Sequence, residues 1–364
     1  MASSSPSSTV PATMRALALS KFCKPSEYGL ATLPTPEITQ PDELLIKVHA
    51  ASVNPIDVKM ASGVAKMLGI STFPYKIGYD LSGTVVSIGS SVSAFKPGDQ
   101  VYARVHERYR GTIAQYALSA ESAVALKPAS LSFVEAAAIP LAGLTALQSL
   151  DTGEKMIEGG SLKGKTVYVP AGLSGTGSFA VQLAKRVFGA GKVITTLSTG
   201  KIARLEELVG AGVVDEAVDY TKEDVGKRIG KGSVDFMFDT MGATLKSLPF
   251  MKKDGVIASI STLPSGDQMK ERTPGIGSFV RYALNIVDWG YKTWTWWKGV
   301  RYSYVFMNPD GQDLKRLSKA VEEGSLKPVV GMTAKLEDIE QVKKGCQQLF
   351  DGKGGVGKFV IEID

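Results

Sequence analysis

Three glycines punctuate the stretch PAGLSGTGSFAVQLAK, Pro170 to Lys185, and a run of apolar residues with helical spacing follows them. The β-rich segment Thr166 to Val169 precedes it, so the order is strand, glycine turn, helix. Gly172, Gly175 and Gly177 lack Cβ atoms, which lets backbone approach a bulky anion, and the following helix offers free N–H groups and the positive end of its dipole. That combination suits the phosphates of a dinucleotide. The spacing is G-x-x-G-x-G rather than G-x-G-x-x-G, and a tight strand–helix turn without a ligand is the alternative.

The next β-rich segment, KVITTLSTGK, ends in Ser198, Thr199 and Lys201. Dinucleotide domains that prefer NAD place a carboxylate about 20 residues beyond the glycines, against the ribose hydroxyls. Here that strand end carries two hydroxyls and an ammonium, which suit a 2′-phosphate that a carboxylate would repel. The expected cofactor is therefore NADPH rather than NADH. Ordinary surface polarity at a strand end is the competing explanation.

The elements that must position these groups exceed one hydrophobic core, since a chain of 364 residues favours two domains. An apolar fraction of 44% and a charged fraction of 21% describe an ordinary globular protein. The net charge of +6 comes without a long Lys/Arg block, which argues against nucleic acid as a partner. Cys23 and Cys346 stand far apart and form no disulfide framework or Cys-x-x-Cys site. Residues 1–13, rich in Ser and Pro, read as a flexible tail. The expected location is cytoplasmic, a short organelle address in the tail remaining open, and no segment is apolar enough to span a bilayer.

From Met14 to about residue 130 the pattern is mostly β: MRALALSKF, DELLIKVHAASVN, LSGTVVSIGS, DQVYARV and AQYALS. Two short helices are expected around Pro140. Strand-like and helix-like segments then alternate, with helices from about Thr176 to Phe188 and from Lys201 to Leu208, and strands at VDFMFDT and VIASIS. Alternation of this kind implies parallel βαβ units, hence an α/β fold. An aromatic section, WGYKTWTWWKGVRYSYVF, interrupts the rhythm before a helix around Asp313 to Glu323 and a final strand, KFVIEID.

Taken in order, AASVNPIDVKMASG, IGYDLSGTVVSIGSSVSAFKPGDQVYA, AAAIPLAGLTALQSL, the glycine loop and GGVGKFVIEID resemble the medium-chain dehydrogenase/reductase superfamily, in its zinc-independent quinone oxidoreductase and enone reductase branch. The resemblance covers nearly everything after Met14. It implies a GroES-like β-rich catalytic domain (14–135 and 302–364) around an inserted Rossmann NADPH-binding domain with a doubly wound parallel sheet (136–301). The strand pattern read by itself gives the same division. Zinc-dependent members carry a Cys where this chain has Asn54 and Gly-His-Glu where it has Gly78, Tyr79 and Asp80, and a tetrahedral zinc needs such ligands. No metal is expected.

Without a Lewis acid, hydride must pass to an acceptor that is already electrophilic, such as a quinone or a C=C conjugated to a carbonyl. The resemblance puts Asn54 near nicotinamide and substrate, and Thr145 near the cofactor. It puts Ser174, Gly175, Thr176 and Gly177 at the pyrophosphate, Ser198, Thr199 and Lys201 at the 2′-phosphate, and Tyr220 over the adenosine side. Ser261, Thr262 and Val356 to Lys358 would close the nicotinamide side. Tyr79 is the available phenol for proton donation, although bulk water could serve. Each has a plainer reading: Asn54 as a turn residue before Pro55, Thr145 as a helix residue, Tyr220 and Tyr79 as packing, and Asp57 with Lys59 as a surface ion pair.

The aromatic section could form a pocket wall for a bulky hydrophobic substrate, a dimer surface or a membrane-surface patch, with core or interface packing the plainest reading. The expected enzyme is an NADPH-dependent reductase of quinones or activated double bonds. A trans-acting enoyl reductase of fatty-acid or polyketide synthesis and a non-catalytic NADPH-binding partner are the alternatives. A homodimer is expected from the resemblance alone.

Overall fold

The computed structural model describes residues 10–64, 66, 72–273, 275–353 and 355–363, so the expected tail lies outside it except for residues 10–13. A seven-stranded sheet organises the catalytic domain, with Glu43–Val53 at its centre. That strand pairs antiparallel with Asp80–Ile88, with Tyr116–Ala120 and with the last strand, Lys358–Glu362. Burial along Glu43–Val53 is nearly continuous rather than alternating. The cause is cover on both faces: one packs into the main β core around Val48, Leu81 and Val101, and the other meets Ala137 and Ala138. Thr13–Leu19, Leu30–Pro34 and Tyr75–Lys76 form a separate three-stranded sheet.

The second domain carries a six-stranded sheet whose registered pairs are all parallel. Its spatial order is Glu216–Asp219, Lys192–Leu197, Thr166–Pro170, Val234–Asp239, Met251–Ser259, Arg301–Tyr304. In chain order this is 3-2-1-4-5-6, the Rossmann arrangement, whose order reverses beside the first strand. Ligands bind such sheets at the carboxyl ends of the strands at that reversal. The largest core cluster fills one face of this sheet, where Val167, Val169, Phe236 and Val256 meet Leu144, Phe179 and Leu317 from the helices.

Three expectations change. Arg301–Tyr304 is the sixth strand of the parallel sheet, in register with Val256 to Ser259, so a domain limit at 302 cuts through a paired strand. The helix expected from Lys201 to Leu208 is two short ones, Thr199–Ile202 and Leu205–Val209. Only the second buries an apolar side, through Leu205 and Val209, so nothing holds the first in line with it. The aromatic section belongs to a 20-residue helix, Ser278–Trp297, that lies against Gly266–Arg272 and leads into the sixth strand.

Candidate active site

The glycine turn follows the first parallel strand, as its sequence order requires. Gly172 N–H donates to Thr195 Oγ1 at 2.8 Å, and a Cβ on Gly172 would collide with that hydroxyl. A Cβ on Gly177 would strike the Ala171 carbonyl, and one on Gly175 would stand 3.0 Å from Lys358 Cδ. Ser174 Oγ accepts from Gly177 N–H at 3.0 Å, which turns the chain into Gly177–Gln182 and its wider continuation Leu183–Val187. A turn that leaves no room for a side chain at Gly172 or Gly177, is tight at Gly175 and ends in a helix N-terminus fits a pyrophosphate.

The other candidate cofactor residues lie at the same edge of the sheet. Ser198 and Thr199 follow the second strand, Tyr220 the third, and Ser261 and Thr262 the fifth. Tyr220 is exposed, with its N–H bound to Leu197 O at 3.2 Å. Lys201 Nζ donates to Gly355 O at 3.0 Å, bringing an ammonium to the loop before Val356. Thr262 Oγ1 hydrogen-bonds Tyr302 OH. Thr199 Oγ1 donates to the carboxylate of Asp219, which the sequence reading overlooked because it comes from the neighbouring strand. Bonds from Thr199 and then Thr221 hold the Asp219 carboxyl below its usual range, and the two Thr221 donors lie at 2.6 and 3.0 Å.

The C-terminal segment joins the two domains at this point. Gly357 N–H donates to Leu173 O at 2.8 Å, and Ser174 and Gly357 form an isolated parallel bridge. Phe359 is registered with Val53, so the next residue of each strand brings Lys358 beside Asn54. Lys358 Nζ donates to Asn54 Oδ1, reaches Val53 O at 3.4 Å, and stands 3.7 Å from Asp80 Oδ2. Asn54 Nδ2 and Ser52 Oγ donate to Asp80 Oδ2 at 2.8 and 2.9 Å, and Leu141 N–H donates to Asp80 Oδ1 at 3.0 Å. Leu141 lies in the first turn of Pro140–Met156, so the carboxylate meets the positive end of that helix. Thr145 is one turn on, its hydroxyl donating to Leu141 O at 2.7 Å.

Asn54, Asp80 and Lys358 are all buried. Burial pushes the Asp80 carboxyl up and the Lys358 ammonium down, and each is drawn back by the other's charge. Asn54 is thus more than a turn residue, and Asp80 is the member of the group that sequence reading missed. Its only signal was its place in the Gly78–Asp80 motif.

Asp57 and Lys59 do not form the expected surface pair. Asp57 is buried, accepts Asn54 N–H at 2.7 Å, and leaves Oδ1 without a hydrogen-bond partner. Burial raises its carboxyl to about 7. Tyr79 departs from the expected proton-donor role: its ring is buried in the β core with the Arg104 guanidinium 4.7 Å from its centroid. Asp80 opens the strand Asp80–Ile88 and reaches the Asn54–Lys358 group, while Tyr79, in the bend just before it, turns into the core. Burial also pushes the Tyr79 phenol up, which makes it a poorer acid. Among the described residues no three His, Cys, Asp or Glu side chains converge as a metal site requires. Trp289, Trp294, Trp296 and Trp297 are exposed, not core, and the part of the section that meets the strand-end residues is Tyr302.

Residues 40–129 match the model of the alcohol dehydrogenase GroES-like domain, and residues 213–360 match that of the zinc-binding dehydrogenase family. The chain is 34% identical to 2-methylene-furan-3-one reductase of Solanum lycopersicum, over 90% of this chain and 74% of that protein. It is 37% identical to the chloroplastic NADPH-dependent alkenal/one oxidoreductase of Arabidopsis thaliana, over 68% of this chain and 65% of that protein. The quinone oxidoreductase of Coxiella burnetii superposes with a TM-score of 0.77 at 30% identity, covering 97% of this chain and 100% of that one. A strand order of Rossmann type, a GroES-like domain closed by the chain's own end, and these relatives agree: the protein belongs to the medium-chain dehydrogenase/reductase superfamily, among its quinone and enone oxidoreductases.

Proposed function

We propose that the protein is an NADPH-dependent reductase that delivers hydride to a quinone or to the activated C=C of an α,β-unsaturated carbonyl compound. The observation that carries this reading is the meeting of the glycine cradle with the Asn54–Asp80–Lys358 group through Gly357 and Lys358. NADPH, when bound, supplies the hydride. Ser174 to Gly177 would hold the pyrophosphate, and Ser198 and Lys201 the 2′-phosphate, whereas the hydroxyl of Thr199, expected there too, donates to the Asp219 carboxylate. Tyr220 would cover the adenosine, and Thr145, Ser261, Thr262 and Val356 would border the nicotinamide.

The chain's own work at the reacting end is electrostatic. Lys358 is a buried cation held beside Asn54, and a fixed positive charge in a dry environment lowers the energy of an acceptor oxygen that gains negative charge. Asp80 fixes Asn54 and Lys358, and is itself fixed by Ser52 and the Leu141 N–H. No protein acid is required, since the proton can come from water. Among the described residues no helix is long and apolar enough to cross a membrane, and the compartment we propose is the cytoplasm.

The test is NADPH oxidation by purified protein with a quinone, a bulky enone, a 2-alkenal and an enoyl thioester, and NADH in parallel. Turnover of a quinone, enone or alkenal with NADPH preferred supports the proposal. Turnover of the thioester alone would replace it with the enoyl reductase reading.

A further inference from the structure

The helix Ser278–Trp297 is amphipathic with its apolar side turned outward. Phe279, Tyr282, Ile286, Trp289 and Trp296 are spaced by three, four, three and seven residues, the spacing of a single helix face, and Trp297 adjoins its edge. They are 63–86% exposed, which excludes a role in the core. At 1.5 Å per residue this face is about 30 Å long. The inner side is fixed: Tyr291 stacks on Tyr302 with centroids 5.6 Å apart, Thr295 is buried, and Arg281 pairs with Asp267 at 2.6 Å. Gly266 allows this approach, because a Cβ there would collide with the Arg281 carbonyl.

Basic side chains outnumber acidic ones around the stripe, where Asp267 pairs with Arg281 and exposed Asp254 lies beside Gly299. The helix's sole acid, Asp288, is buried and holds Lys292 at 2.6 Å. Lys298 lies 4.3 Å from the Trp297 centroid and 5.9 Å from that of Trp294, and exposed Lys253 and Arg301 lie nearby on the adjoining strands. Tryptophans among lysines suit the boundary between lipid headgroups and acyl chains, where rings enter the apolar layer and ammonium groups meet phosphates. Two copies of this face brought together would set the same cations against each other.

We infer that this helix is a membrane-surface docking element that lies flat on an anionic lipid bilayer. The inference is independent of the substrate. All four tryptophans of the chain, Trp289, Trp294, Trp296 and Trp297, lie on this helix, so intrinsic fluorescence reports on it alone. Full-length protein is mixed with phosphatidylcholine vesicles, with or without phosphatidylserine, and followed by emission and flotation. With phosphatidylserine the emission should shift to the blue and the protein should float, and binding to phosphatidylcholine alone should be roughly tenfold weaker or less. The Trp296→Ser/Trp297→Ser variant should lose binding at unchanged reductase turnover, and Lys253→Glu/Lys298→Glu should lose the preference for anionic lipid.

Absence of binding to anionic vesicles overturns the inference, and equal binding to both vesicles overturns the anionic surface. A dimer that the tryptophan variant converts to monomer, with no vesicle binding, would assign the face to a second copy.

Discussion

Lys358 Nζ stands 3.7 Å from Asp80 Oδ2 with both side chains buried, linking the last strand of the chain to the second motif of its catalytic domain. A buried pair is strongly destabilised when one partner goes, because the other charge is left without compensation. Lys358→Met should lower unfolding stability by about 3–5 kcal/mol and abolish most turnover. Adding Asp80→Asn should recover much of the stability and none of the activity. Denaturant unfolding together with NADPH oxidation separates the two effects, and equal losses in the single and double variants would refute the pairing.

In the proposed reading cofactor choice rests on Lys201, whose ammonium donates to Gly355 O at the carboxyl edge of the sheet. Lys201→Ala should weaken NADPH about tenfold or more and leave NADH nearly unchanged, the loss of one charge-assisted contact to phosphate. Titration of both nucleotides decides it, and an equal loss for the two would remove Lys201 from the 2′-phosphate.

Gly172→Ala places a methyl group on Thr195 Oγ1 and should abolish measurable NADPH binding by displacing the turn. Gly290 offers the contrast, since it lies inside the long helix with open space at its Cβ. Gly290→Ala should raise stability by about 0.5–1 kcal/mol. Nucleotide binding and thermal unfolding of the two variants provide the comparison.

Asp57 makes stability depend on pH. Its carboxyl is raised from an ordinary 3.8 to about 7 by burial. The folded protein therefore holds a proton that the unfolded chain has released between those values, and its contribution to stability is present below 3.8 and lost as pH rises through 7. Asp57→Asn removes that loss. Relative to the parent, the variant should gain several degrees in Tm on moving from pH 5 to pH 8.

The Rossmann half was legible because its signals are local: each strand is a short apolar run, and the glycine loop, Ser198 and Tyr220 each follow one directly. The glycine loop, Ser198, Tyr220 and Ser261 could be placed at one sheet edge from chain order alone. Asp80 and Asp219 were not legible in the same way, since their partners come from other strands and a helix brought close by folding. Asp57 looked like a surface residue next to Lys59, because charge pattern carries no record of burial. The aromatic section was recognised by composition, but whether its rings faced in or out depended on the packing of Tyr291 and Thr295.

Lys358 and Asn54 are 304 residues apart in sequence, and the strand that carries Lys358 is the last of the chain. Contacts of that separation close late, after the entropy of the intervening loop has been overcome. During synthesis residues 50–53 of the central strand Glu43–Val53 lack their partner on one edge until the inserted nucleotide domain and the final strand have left the ribosome, while Glu43 to Lys47 on that edge already pair with Tyr116–Ala120. A chain halted before residue 358 would carry the glycine cradle without the Lys358 ammonium that meets Asn54 in the finished fold.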